Sequence, residues 1–185
     1  MQSIQEQLDR IKTRISDENF LANKGLSNEV GIHVFCYDPA DELMVREYIK
    51  RLLSESGMSF RIIECDLYEM FLEVLKEKRV LDKVALLEEG KGSKYLLSQL
   101  QKVATPSALL EKMKYEPHER GDVLFLTGVG KAFPFIRAHN MLDIMQQAFS
   151  DIPIVMFYPG EFNGQTLNLF EKFFDGNYYR AFNLL

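Results

Sequence analysis

The sequence has no tryptophan, few cysteines and no long apolar segment. Its longest apolar runs, VLFLTGVG at 123–130 and IPIVMFYPG at 152–160, fall far short of the roughly 18 residues that a membrane helix needs. Its two cysteines, Cys36 and Cys65, stand in separate strand-like runs and form no CxxC motif, which excludes a disulfide framework and a cysteine metal site. We therefore expect no membrane contact, and two buried, reduced thiols on neighbouring strands.

The sequence also lacks an excess of positive charge and the common catalytic motifs. Its 22 basic and 27 acidic residues give a net charge of −5, which argues against a broad face for nucleic acid. The three histidines show no zinc-ligand spacing, and no GxSxG motif marks a serine nucleophile. We expect a protein without catalytic residues, cofactor or metal. The charged start MQSIQEQLDRIK has no apolar run of the secretory type, so we expect a cytoplasmic location.

Apolar strand-like runs alternate with helical periods along the chain. The length and the 46% hydrophobic content predict one domain over 1–185, with a helix and arm over 1–30 and a charged helical insert over 82–117. Helical patterns also cover 131–149 and, as a short helix, 165–174. Five runs are typical of strands: IHVFCYDP, SFRIIECD, GDVLFLTGVG, DIPIVMFYPGE and NYYRAFNLL. The alternation predicts an α/β fold, a three-layer α/β/α sandwich around a mostly parallel sheet of about five strands.

The most suggestive short motif is TGVGK at 127–131, where a strand meets a glycine turn, a lysine and a helix. That order is the layout of a phosphate-binding loop. The spacing GxxxxGK[ST] fails, however, because Phe125 replaces the first glycine and Ala132 replaces the hydroxyl residue. Two interpretations stay open, a tight strand-to-helix turn and a degenerate phosphate loop, whose residues are Gly128, Gly130 and Lys131.

Acidic residues follow several of the strand-like runs. Asp38 with Asp66, or Asp38 with Glu161, could in principle bind magnesium or exchange protons at the carboxyl end of the sheet. An aspartate directly after a strand more commonly caps the next helix or anchors a turn. We expect the capping role and no metal site.

Aromatic residues concentrate in the last third of the chain. Of 22 aromatic residues, 13 fall within 121–185, where an even spread would place about eight. The excess predicts either an unusually aromatic core or an exposed binding patch, since Tyr, Phe and Arg are enriched at protein interfaces. The candidate partner-binding residues are Lys131, Arg137, Glu161, Phe162, Tyr178, Tyr179 and Arg180.

Three long segments carry a resemblance to a known family. They are FLANKGLSNEVGIHVFCYDPADELMVREYI at 20–49, DVLFLTGVGKAFPFIRAHNMLDIMQ at 122–146 and PIVMFYPGEFNGQTLNLFEKFFDGNYYRAFNL at 153–184. Over nearly the whole chain, the sequence resembles the BrxB family of bacterial BREX (bacteriophage exclusion) defence systems. The resemblance implies a small non-catalytic component encoded beside a large ATPase, a DNA adenine methyltransferase and an alkaline-phosphatase-like protein called PglZ. It also implies a sheet related to P-loop ATPase-type domains that have lost their nucleotide motifs.

The leading hypothesis is a protein–protein interaction component, a scaffold or regulator, that binds the PglZ-like protein of the alkaline-phosphatase superfamily. The BREX ATPase and methyltransferase are further candidates for a larger complex. The alternative hypothesis is a nucleotide-binding or hydrolysing P-loop-like domain that uses the abbreviated GVGK loop, with a magnesium ligand from Asp38 or Asp66.

A third hypothesis is direct DNA binding by the lysines of the helical insert. Those lysines are Lys91, Lys94, Lys102, Lys112 and Lys114. Acidic residues interspersed among them largely cancel their charge, which argues against DNA as a direct partner.

We predict that the purified protein neither binds nor hydrolyses ATP or GTP, because Phe125 and Ala132 occupy the two positions that a phosphate loop needs. Isothermal titration calorimetry and a phosphate-release assay check the two parts. A micromolar affinity for ATP that is lost in Lys131→Ala would contradict the prediction and favour the nucleotide hypothesis.

Overall fold

A computed structural model describes residues 3–23 and 31–185. Helix α1, Ile4–Ile15, begins at a capping box in which Ser3 and Glu6 each donate their backbone N–H to a side-chain oxygen of the other. The short helix α2, Glu18–Leu21, begins at Asp17, whose carboxylate accepts two backbone N–H groups. The rest of the expected N-terminal arm, at 24–30, lies outside the described residues.

The strands form one sheet whose larger part is parallel. They are β1 Ile32–Tyr37, β2 Arg61–Asp66, β3 Asp122–Thr127, β4 Ile154–Phe162, β5 Leu167–Leu169, β6 Phe173–Asp175 and β7 Phe182–Asn183. The parallel strands lie in the order β2-β3-β4-β1-β7. The distal end of β4 continues past them and pairs antiparallel with β5, which pairs with β6. The prediction of a mostly parallel sheet in an α/β fold is confirmed.

Seven further helices connect the strands in the described part of the chain. They are α3 Glu42–Leu53, α4 Leu67–Glu77, α5 Val84–Lys91, α6 Ser93–Val103, α7 Pro106–Met113, α8 Val129–Ala132 and α9 Ala138–Ala148. Short 3-10 turns at Pro39–Asp41 and Leu81–Lys83 lead into α3 and α5. None of the helices among the described residues is long and apolar enough to cross a bilayer.

The chain reverses its direction of travel across the sheet after β2. From β1 it crosses to the far edge at β2 through α3, and then it returns through β3 to β4. Because parallel crossovers are right-handed, a reversal of direction puts the next helices on the opposite face. Helices α1, α2 and α3 accordingly pack on one face and α4, α6, α7 and α9 on the other, so that the sheet lies between two apolar cores.

Two predicted helical segments differ in the structure. The helix expected over 131–149 is broken, since Pro134 has no N–H for a helix and Phe133, which precedes it, is extended. The prediction of a helix over 165–174 is wrong, because this segment contributes to strands β5 and β6. Leu167 and Leu169 alternate with a less buried residue, and β5 pairs with the end of β4.

The two cysteines lie on strands that do not touch. Cys36 is on β1 and Cys65 on β2, and both β3 and β4 lie between these strands. The prediction of neighbouring strands is therefore wrong, because the first crossover carries the chain to the edge of the sheet. Burial raises the pKa of each thiol to about 12, with a smaller contribution from a nearby glutamate in each case. Both thiols are therefore protonated, weak nucleophiles at neutral pH.

A buried carboxylate joins β2, β3 and the end of the helical insert. Asp122 is 1% exposed and accepts hydrogen bonds of 2.7 Å from both Nε and Nη2 of Arg61. It also accepts the Tyr115 hydroxyl at 2.8 Å and the backbone N–H of Glu119 at 2.9 Å. Burial disfavours its charged form, but these hydrogen bonds, Arg61 foremost, outweigh burial and lower its pKa to about 2.

We predict that Asp122→Asn lowers the free energy of unfolding by roughly 2 kcal/mol at neutral pH, because a charge-assisted bidentate contact is lost. The folded-state pKa of Asp122 lies below that of an unfolded aspartate. Its stabilising contribution is therefore complete above about pH 4 and is lost as the pH falls towards about 2.

Urea unfolding at a series of pH values should show the difference between wild type and Asp122→Asn shrinking below about pH 4. Asp82→Asn, at an exposed carboxylate of the insert, is the matched control and should change little. A difference for Asp122→Asn that stays constant down to about pH 2 would contradict this role.

Candidate functional site

Two depressions formed by the described residues lie at the crest of the sheet, the edge where the parallel strands end at their carboxyl termini. Ligand sites of open parallel sheets lie at this edge. The first, which we call the aromatic cavity, has a volume of about 300 Å³. Its lining residues are Val129, Phe133, Ile136, Arg137, Ala138, Tyr158, Leu169, Lys172, Phe173, Phe174 and Tyr179. The second, the α3 groove, is a wider depression of about 540 Å³ between α3 and the ends of β2 and β3.

The aromatic cavity has a buried floor and an exposed aromatic rim. Tyr158 and Leu169, on the floor, are 3% and 5% exposed. On the rim, Phe173 is 49% and Phe174 is 70% exposed. The Phe173 ring lies 4.8 Å from the ring of Phe133 between centroids, which fixes the rim against the segment after α8.

The charged side chains described in the cavity lining are both positive. Arg137 and Lys172 are both exposed and both line the cavity, and none of the lining side chains that the structure describes is acidic. The whole chain has a net charge of −5, so this local charge is opposite in sign to that of the protein. The arrangement can hold an apolar group on the floor while it attracts a negative charge at the rim.

Four of the candidate residues come together near this cavity. Arg137 lines the cavity itself, and a smaller depression of about 220 Å³, which shares Tyr179 with the cavity, is lined in part by Tyr178 and Arg180. Tyr178 is 65% exposed and Arg180 is exposed, whereas Tyr179 is 4% exposed and belongs to the core. Tyr179 forms a wall common to both depressions.

The other three candidate residues lie elsewhere. Glu161 is exposed at the end of β4, opposite Asn168 of β5, and the neighbouring Phe162 is half-buried and packs on the core. Lys131 lines the α3 groove instead. Its ammonium group lies 2.8 Å from a carboxylate oxygen of Asp66 and above the ring of Tyr68.

The glycine turn after β3 has a packing explanation. Gly128 has a φ of +69°, and a Cβ added there would lie 2.1 Å from Oδ1 of Asp66. A Cβ on Gly130 would lie 3.1 Å from the ring of Phe170. Both glycines therefore admit a close neighbour, and Lys131 neutralises the Asp66 carboxylate beside the turn. The interpretation as a tight turn therefore accounts for Gly128, Gly130 and Lys131.

The aspartates at the crest act as caps. Asp38 accepts the backbone N–H of Ala40 at 2.8 Å, and Asp66 accepts that of Tyr68 at 2.9 Å. Within 3–23 and 31–185, no cluster of three or more His, Cys, Asp or Glu side chains could hold a metal ion. The capping role expected for these residues is confirmed.

Of the described residues that line the aromatic cavity, the candidate set included only Arg137 and Tyr179, and the missed residues of the rim and its charge are Phe133, Lys172, Phe173 and Phe174. The aromatic excess included the three phenylalanines. Because a helix was expected over 165–174, the sequence did not indicate that Phe173 and Phe174 lie on a strand next to Phe133. The alternation of polar and apolar residues in TLNL at 166–169 was the signal for a strand.

We predict that Gly128→Ala destabilises the protein by roughly 1–3 kcal/mol, because the left-handed backbone is strained and the added Cβ displaces Asp66. Gly90→Ala is the matched control. Gly90 lies within α5 with no atom within 4 Å of an added Cβ, so this change should stabilise by roughly 0.5–1 kcal/mol. Urea unfolding measures both, and equal stability of the two variants would contradict the proposed packing.

Residues 63–184 match a family model described as BREX protein BrxB. A BREX protein BrxB of Bacillus cereus (strain H3081.97) is 42% identical over 192 aligned residues, which cover 100% of this chain and 99% of the relative. A second, of Escherichia coli O9:H4 (strain HS), is 30% identical over 183 residues, which cover 98% and 92%. No solved structure matches, so the expected relation to P-loop ATPase-type domains stays a prediction. The family model and the full-length relatives together show that this chain belongs to the BrxB family and is a component of a BREX anti-phage defence system.

Proposed function

We propose that this protein is a non-catalytic interaction component of its BREX system, and that it binds the PglZ-like protein through the crest of its sheet. The binding surface consists of the aromatic cavity and the adjoining Tyr178 and Arg180. The observation that carries the proposal is the exposure of Phe173, Phe174 and Tyr178, at 49%, 70% and 65%, on one end of an otherwise well-packed sheet.

Large exposed aromatic side chains favour association. Burial of one such side chain contributes roughly 1.5–3 kcal/mol, and aromatic residues dominate the hot spots of protein interfaces. Phe173 and Phe174 are on β6, which pairs with β5. The buried Leu167 and Leu169 anchor β5 in the core, so the aromatic rings are held in place before binding. Such preorganisation lowers the entropic cost of association.

The polar side chains of the crest support a non-catalytic role, because they already bind each other. Lys131 bonds to Asp66, and the Thr127 hydroxyl donates to the Glu64 carboxylate at 2.8 Å. Asp38 caps the turn that leads into α3. These groups have structural partners, whereas the cations of the aromatic cavity are directed to an exposed rim.

Family membership supports the choice of partner. A BREX protein works among other BREX proteins, and the resemblance to the BrxB family implies that a PglZ-like protein is encoded beside this one. The BREX ATPase and methyltransferase are further members of the proposed complex. Cations at the rim favour an acidic face on the PglZ-like protein.

We predict that purified protein binds the purified PglZ-like protein encoded beside it, and that Tyr178→Ala weakens this binding about tenfold or more without lowering the melting temperature. Arg137→Glu should weaken it to a similar extent, because the reversed charge repels an acidic face. Tyr179→Ala should also lower stability, by roughly 3 kcal/mol, since Tyr179 is buried.

Biolayer interferometry paired with thermal melts measures both quantities. Leu86→Ala removes an equally exposed apolar side chain on α5, and Arg120→Glu reverses an exposed charge at the opposite end of β3, so both serve as controls. If every variant that loses the partner also loses most of its thermal stability, the aromatic residues serve the core and the proposed surface is wrong.

A further inference from the structure

We propose that the aromatic cavity accepts one large apolar side chain that its partner presents beside a carboxylate, and that Arg137 and Lys172 bind this carboxylate. The inference rests on the proposed function and specifies the chemistry of the segment that is recognised. That segment is acidic and carries a single apolar anchor.

The size and the floor of the cavity fit a side-chain anchor. Its volume of about 300 Å³ lies at the lower end of the range of roughly 300–1,000 Å³ for small-ligand pockets. Val129, Ile136 and Leu169 are 4%, 6% and 5% exposed and give the floor an apolar surface. An aromatic or branched aliphatic side chain would bury its apolar area there, as anchor residues of protein interfaces do.

The two cations of the cavity determine which residues of a bound segment can stand next to its apolar anchor. Among the described side chains, neither Arg137 nor Lys172 forms an ion pair, and no carboxylate lines the cavity. A glutamate or aspartate next to the anchor would therefore meet two unpaired cations at the rim. A lysine or arginine in that place would be repelled, so the same two residues give specificity as well as attraction.

The two cations come from different parts of the chain, and this determines how a bound segment is contacted. Arg137 immediately precedes α9, and Lys172 lies in the turn between β5 and β6. They therefore come from two different elements that flank the same cavity. A segment that enters between them is contacted from both sides, and its anchor is directed to the floor.

Two short peptides test this chemistry without the partner protein. The probes are the acetylated, amidated pentapeptides EEFEE and KKFKK, titrated into the ¹⁵N-labelled protein and followed by two-dimensional NMR. We expect EEFEE to shift the backbone amide signals of Arg137, Lys172 and Phe173, with an affinity that falls as salt is raised. We expect KKFKK to bind at least fivefold more weakly.

Two variants separate the anchor from the charges. Arg137→Gln with Lys172→Gln should weaken EEFEE binding at least fivefold, reduce its salt dependence and leave the melting temperature unchanged. Ala138→Leu, which fills the cavity, should weaken both peptides. Arg120→Gln with Lys102→Gln removes two exposed cations outside the cavity lining and should leave EEFEE binding unchanged.

The outcomes distinguish this inference from the proposed function. If the PglZ-like protein binds and Tyr178→Ala weakens it, while EEFEE does not perturb the cavity, the inference is wrong and the proposed function stands. If EEFEE binds as expected and the PglZ-like protein does not bind, the chemistry of the cavity is supported and the proposed partner is wrong. Equal binding of EEFEE and KKFKK overturns the role of the two cations.

Discussion

The position of β4 in the middle of the sheet is the constraint on which the rest of the structure depends. Its first residues pair in register with both β1 and β3, so that Ile154 lies opposite Ile32 on one side and Leu124 on the other. The strand is buried from Ile154 to Gly160, and the two apolar cores meet across it. Because β4 is longer than its parallel neighbours, its end extends beyond the crest and pairs with β5 there.

That extension explains why the aromatic residues gather where they do. Gly160, at a φ of +152°, lets the backbone oxygen of Asn168 approach to within 2.2 Å of where a Cβ would stand. The close approach allows β5 and β6 to fold back beside the crest, and this places Phe173 and Phe174 next to Phe133. The core strand β4 thus holds β5 and β6 in place, and the exposed aromatic residues of β6 are fixed through these pairings.

The crest is divided into two chemically different halves. Over β2 and β3, Lys131 neutralises Asp66 and the Thr127 hydroxyl donates to Glu64, and these contacts stabilise the turns. Over β4 and β5, the cations Arg137 and Lys172 lie at an apolar opening, with no acidic side chain among the lining residues that are described. In a BrxB-family protein of a BREX system, the first half accounts for the motif that resembles a phosphate loop, and the second half is the surface that we propose binds a partner.

The sequence by itself determined the alternation of strands and helices, the capping role of Asp38 and Asp66, and the excess of aromatic residues, because each depends on neighbours in the chain. Tertiary structure decided that Cys36 and Cys65 lie on separated strands, and that the strand pattern at 166–169 belongs to an antiparallel hairpin paired with the end of β4. It also decided which aromatic rings are exposed: Tyr178 and Tyr179 have the same side chain and adjacent positions, yet one is at the surface and the other in the core. Strand order and burial depend on contacts between segments that are distant in the sequence, and local sequence patterns do not specify those contacts.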